Sequence, residues 1–202
     1  MRLLAPLLFA LALRAEVIDR VAVAVGNRVI TESEILRQIR LTAFLNGAQP
    51  DFSPSNKRTT AERLIEQSLI RRELEASGYS SLGSASASMY KELRGNYPTY
   101  EQTLQKYGIT DADVQEAVEW QATLLDFVEL RFRPGVQIPE SEIRDYYDQQ
   151  AAANPGKLPP FEDAKDDIEK ILTSQRVDNA LDRWLGQVRT QTRIRYIQEV
   201  FR

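Results

Sequence analysis

The chain holds 202 residues, with 26 Lys and Arg against 29 Asp and Glu for a formal net charge of −3, and contains neither Cys nor His. That excludes a Ser-His-Asp or Cys-His nucleophile, a zinc site of the usual imidazole or thiolate kind, and any disulfide. At 43% hydrophobic and 27% charged the composition is globular, and its slightly acidic balance argues against nucleic acid as a partner, because phosphate binding needs uncompensated Lys and Arg.

Residues 1–15 read as a signal peptide. Arg2 supplies the positive start, Leu3 to Leu13 an apolar run of eleven residues, and Ala12 or Ala15 a small residue at the cleavage point. The competing reading, a buried N-terminal helix, fits poorly with Pro6 and the abrupt polar switch at Arg14-Ala15-Glu16. Eleven residues cannot span a bilayer, which takes ~20, and no later apolar run does better, so no stable membrane insertion is expected. Removing Arg2 and Arg14 would leave a mature chain with a net charge of −5.

Residues 16–202 then read as one mainly helical unit with a small β-sheet. Val17, Val21, Val23 and Val25 alternate, Gly26-Asn27 interrupts, and Val29-Ile30 resume, which is a β-hairpin. Thr31 and Glu34 form a capping-box pattern opening a helix to about Asn46, with Gly47 as its stop. Gly47 to Asn56 reads as a loop, and Lys57 to Ser77 as a helix ended by Gly78. The Ser-rich stretch Ser80 to Ser88 leads into a short helix near Met89, Tyr90 and Leu93. Thr99 and Thr110 cap two more, the second running from Asp111 to Phe132 with Val114, Val118, Ala122, Leu125, Val128 and Phe132 on its core side. Helices over Glu140–Gln150 and Glu162–Thr190 follow, and Arg193 to Val200 reads as the third strand that a two-stranded hairpin needs.

Catalytic patterns are thin. Ser88-Met89-Tyr90-Lys91 matches S-x-x-K, but the companion S-D-N and K-T-G motifs are missing. The acidic pairs Glu32/Glu34, Asp111/Asp113 and Asp166/Asp167 each stand at a helix start, where carboxylates favour the positive end of the dipole. The nine Gly are scattered as turn and stop residues, so neither a nucleotide nor a metal cofactor is expected, and the chain reads as a non-enzyme.

The order of these weak motifs carries a resemblance. Val17 to Glu34, with its Val-rich hairpin and capped helix, resembles the opening of SurA-type periplasmic chaperones. The likeness continues in Leu64-Ile65-Glu66 and Tyr107-Gly108-Ile109-Thr110, then in Phe161 to Ile168, Trp184-Leu185 and Ile194 to Ile197. It implies a multi-helix chaperone core in which an N-terminal segment, residues 16–150, is completed by a C-terminal helix and strand, residues 161–202, with the N-terminal hairpin paired to the last strand. In parvulin-bearing relatives a prolyl isomerase domain lies between those segments. Here only 13 residues separate Tyr147 from Phe161, and the His pair typical of parvulin sites is missing, so that domain is not expected.

What the resemblance implies about function is ATP-independent holding of unfolded polypeptides in the periplasm, outer-membrane β-barrel precursors among them. Such binding needs an uncovered apolar surface. Aromatic residues crowd the first half at Phe44, Phe52, Tyr79, Tyr90, Tyr97, Tyr100 and Tyr107. Those beside Gly, Pro and Ser-rich breaks, namely Met89, Tyr90, Tyr97 and Tyr100, are the expected lining of a peptide-binding groove. The alternative is an envelope interaction module using the same groove for one folded partner.

Overall fold

A computed structural model describes residues 19–79 and 82–202; the expected signal peptide, residues 1–15, and Val17 lie outside the described residues. Among these residues the chain forms strands β1 (Val21–Val25), β2 (Arg28–Thr31) and β3 (Ile194–Tyr196). Its helices are α1 (Glu32–Leu45), α2 (Pro54–Ser77), α3 (Ser86–Gly95), α4 (Tyr100–Tyr107), α5 (Asp111–Phe132), α6 (Glu140–Ala153) and α7 (Phe161–Gln191). The three strands make one antiparallel sheet in the order β2-β1-β3, so the last strand pairs with the first, Val23 opposite Tyr196 and Val25 opposite Ile194.

Local chemistry sets most boundaries. Gly26 turns the hairpin with φ at +60°, which a side chain resists, and its N–H donates to Arg193 O at 2.9 Å, tying the turn to the start of β3. Thr31 Oγ1 accepts from Glu34 N at 3.3 Å, but the expected reciprocal cap does not form: the Glu34 carboxylate instead pairs with Arg28 of β2 at 3.1 Å. Thr110 and Asp113 do complete a capping box at the start of α5. Helix α2 begins three residues earlier than the periodicity predicts, because Ser53 caps it and Pro54, whose fixed φ suits the first helical turn, extends it. The final strand is shorter than expected: after Tyr196 the chain turns into a 3-10 segment, Gln198–Phe201, that drives Val200 and Phe201 into the core.

Three apolar clusters result. The first joins both chain ends: Ala22, Val23, Val25 and Ile30 of the sheet, Ile35 and Ile39 of α1, Ala61, Leu64, Ile65 and Leu69 of α2, and Val200 and Phe201. A polar clamp locks it, with Tyr196 Oη donating to Glu62 Oε1 at 2.5 Å and Arg189 Nη2 donating to Glu62 Oε2 at 2.6 Å. The second lies at the far end of α1, where Leu41 and Phe44 meet Tyr100, Leu104, Ile109, Val114 and Val118. The third joins α6 to the first half of α7 through Ile143, Ala164, Ile168 and Leu172. Helix α7, 31 residues and therefore ~46 Å long, serves both the third cluster and the first.

Helix α5 corrects one expectation. Val114, Val118 and Ala122 are buried as predicted, but Leu125 is 51% exposed and Phe127 is fully buried. Phe127 stands five residues beyond Ala122, about 140° further round the helix, and packs with Tyr79, Phe132 and Trp184 at centroid distances of 6.0, 5.8 and 5.7 Å. The helix therefore has two buried faces, one toward α3 and α4 and one toward α7.

Candidate functional site

The four residues expected to line a groove do come together, but as part of the second cluster. Tyr100 is 5% exposed, and Met89, Tyr90 and Tyr97 pack against the same cluster, partly buried. Phe44 is the hub: Tyr97 stacks on it at 4.7 Å, while Tyr100 and Tyr107 meet it edge-on at 6.3 and 5.7 Å. Their hydroxyls are engaged as well. Tyr90 and Tyr100 both donate to Asp111 Oδ1, at 2.5 and 2.7 Å, and Tyr97 donates to the Phe44 carbonyl at 3.0 Å. Those bonds hold the Asp111 carboxyl below its usual range, and burial beside it pushes the Tyr100 phenol well up. Tyr100 is core, whereas Met89, Tyr90 and Tyr97 are half-buried against it, and Tyr90 borders a recess of about 250 Å³ with Ser86, Ala87, Gln115 and Glu119.

A larger cleft with a mixed lining lies elsewhere. Helix α2 packs on α1 and α7, and α5 packs on α3 and α7, which leaves a cleft of about 330 Å³ between α2 and α5, closed at its sides by α1 and α7. Its apolar lining combines the buried Leu41, Leu64 and Ile70 with the exposed Leu45 and the half-buried Ala117, Trp120, Leu124, Leu181 and Leu185. The α1 side carries ion pairs: Arg28 with Glu34 at 3.1 Å, and Arg37 with Asp113 at 3.1 Å. A smaller recess of about 260 Å³ shares Arg71, Glu116 and Trp120 with the cleft and adds Leu74, Glu75, Glu119 and Thr123. Together they make one trough. From Arg63 to Leu74 it follows α2 for ~16 Å, room for about five residues of extended chain.

Arg71 bridges the trough. Its guanidinium lies 4.3 Å from the centre of the Trp120 ring across from it and 3.9 Å from the Glu116 carboxylate, too far for a hydrogen bond, and it makes none among the described residues. Burial, and then the like charge of Arg28, hold its pKa below the ordinary guanidinium value. Gln67 and Gln121 also line the trough, and their side chains form no hydrogen bond among the described residues. Glu66 on the α7 side forms no ion pair among them, and burial, reinforced by Glu62 and Asp182, raises its carboxyl above the usual range.

A second groove of about 740 Å³ opens between the end of α5 and α7, but its cations are engaged: Arg131 with Glu73 at 3.0 Å, and Arg176 with Glu142 at 2.5 Å and with the Gln137 carbonyl. Among the described residues no group of three His, Cys, Asp or Glu is placed to hold a metal ion, and no helix is long and apolar enough to cross a membrane. No family model and no curated protein matches the chain.

Trp120, Leu124 and Arg71 were not singled out by the sequence reading. A signal for them exists: Trp120, Leu124 and Phe127 recur at i, i+4 and i+7, a second stripe on the same helix as Val114, Val118 and Ala122. The stripe does not say what it meets: in the fold Phe127 packs on Trp184 of α7, while Trp120 and Leu124 line the trough.

Proposed function

We propose that this protein is an ATP-independent holding chaperone of the bacterial periplasm, which keeps unfolded envelope proteins, outer-membrane β-barrel precursors among them, from aggregating. The observation that carries the reading is the α2–α5 trough, whose partly apolar lining includes side-chain amides and a guanidinium that form no hydrogen bond among the described residues. Apolar lining binds side chains by area, at ~25 cal/mol per Å², and does not select strongly among them. Gln67, Gln121 and Arg71 offer hydrogen bonds to the main chain of an extended segment, which every sequence possesses. A sheet closed by both chain ends, the arrangement the resemblance implies, is consistent with this reading.

Release without nucleotide hydrolysis requires modest affinity, ~1 μM or ~8 kcal/mol. The test is light scattering from an unfolded outer-membrane β-barrel protein diluted out of denaturant. The parent should suppress the scattering, and the double variant Trp120→Ala, Leu124→Ser should lose most of that effect while keeping its helical circular dichroism. A folded double variant that protects as well as the parent would remove the trough from the mechanism. A parent that protects no unfolded client would overturn the chaperone reading in favour of a module with one folded partner.

A further inference from the structure

The trough is not electrically neutral, and this bears on what it holds, provided that it holds polypeptide at all. Its two parts are lined by four arginines and six carboxylates. Arg28 and Arg37 are closely paired within the protein, with Glu34 and Asp113. Against the remaining carboxylates stand Arg63, whose charge acts on Glu66, and Arg71: Glu116 has only 3.9 Å contacts to Arg37 and Arg71, and Glu66, Glu75 and Glu119 form no ion pair among the described residues. Three of these four, Glu75, Glu116 and Glu119, border the outer recess around the Trp120 ring.

The protein already shows how a cation sits there. The Arg71 guanidinium lies on the Trp120 ring beside Glu116, combining a cation–π contact with carboxylate attraction, and its stem covers apolar surface. A client arginine or lysine shares two of these features, a charged head for Glu75, Glu116 and Glu119 and an alkyl stem for Leu74, while Arg71 keeps the indole face. An acidic client side chain would meet the same carboxylates as repulsion.

We infer that the occupant of the trough is an extended polypeptide segment in which a basic residue is flanked by bulky apolar ones. The apolar neighbours lie along Leu64, Ile70 and Leu124 in the main cleft, and the basic side chain enters the outer recess. Arg71, with donors to spare, bonds client carbonyls rather than a client carboxylate.

The test uses fluorescence anisotropy of short end-blocked peptides with Leu-Phe-Arg-Leu at the centre, beside versions in which Gln or Glu replaces the Arg. The full protein should bind the Arg peptide about three- to tenfold tighter than the Gln peptide, and the Glu peptide weakest, with the spread shrinking in 0.5 M salt as exposed charges are screened. In the variant Glu75→Gln, Glu119→Gln, with its melting midpoint checked against the parent, the Arg-over-Gln ratio should fall toward one. Equal affinity for the three peptides, a Glu peptide that binds best, or a ratio that survives in a folded variant each overturns the inference while leaving the holding function in place. Failure of all three peptides to bind overturns the trough as a peptide site.

Discussion

The first and second clusters solve the same packing problem by opposite means. The first is aliphatic and built from residues far apart in sequence: β1 near the start pairs with β3 near the end, and the 3-10 segment delivers Phe201. The second is aromatic and closes over a shorter separation, the end of α1 meeting the α3–α5 segment with Tyr97 bonded to Phe44, 53 residues back, and its rings are fixed by hydroxyl bonds to Asp111 and to main-chain carbonyls. Non-local closure makes the first cluster all-or-none, because chain entropy is lost before its contacts form. The second can loosen piecewise, since each short helix brings its own ring.

The largest expected effect comes from cutting the first cluster open. Deleting Arg193 to Arg202 removes β3, Tyr196 from the Glu62 clamp, and Val200 and Phe201 from the core, so thermal unfolding followed by circular dichroism should show loss of the whole fold in one transition. An unchanged midpoint would mean that the hairpin does not need its third strand. Next in size is Phe44→Ala, which empties a fully buried site shared by three tyrosines and should cost about 3–5 kcal/mol by urea titration. If the second cluster yields piecewise, hydrogen exchange in that variant should quicken in α3 and α4 more than in the sheet. Replacing Met89, Tyr90, Tyr97 and Tyr100 together should likewise damage the fold.

Acid should separate the two regions by sign. Asp111 has a depressed carboxyl pKa, caused mainly by the Tyr90 and Tyr100 hydroxyls, so its contribution is fully present above the ordinary carboxylate value of 3.8 and is lost as pH falls through the depressed folded value. Tyrosine fluorescence from the second cluster should therefore change in that acid range, and Asp111→Ala should weaken the pH dependence, leaving the part due to the depressed Asp113 and Asp19 carboxyls, and cost about 1–3 kcal/mol of stability. Glu66, on α2, is shifted the other way by burial. Its proton is held more tightly in the fold, so stability is greatest with Glu66 protonated and declines as pH rises from the ordinary 4.5 through the raised folded value. The smallest effect belongs here: Glu66→Gln should flatten that decline and slightly raise the melting midpoint at neutral pH.

Much of the fold was legible because its signals are local. Alternating valines, Gly26, the caps at Thr31 and Thr110, and the left-handed stops at Gly78 and Gly108 each act within a few residues, and they marked the hairpin and most helix ends. Pairing of the last strand with the hairpin also followed, since two strands alone are marginal in water, while the choice of β1 as its partner came from the fold. The candidate site was less legible. Tyr90, Tyr97 and Tyr100 stand beside loop-forming residues, and only the position of Phe44, more than forty residues earlier in the chain, shows that they point inward.

The sequence by itself determined the element types, the residues able to cap and stop them, and the lack of imidazole and thiol chemistry, because each depends on side chains acting at short range. Tertiary structure alone decided that α5 buries two faces and that α2 and α5 stand apart along Arg71 and Trp120. Periodicity states how many apolar stripes a helix carries, but whether a stripe meets a neighbour or stays open as a trough depends on where α1 and α7 hold the two helices.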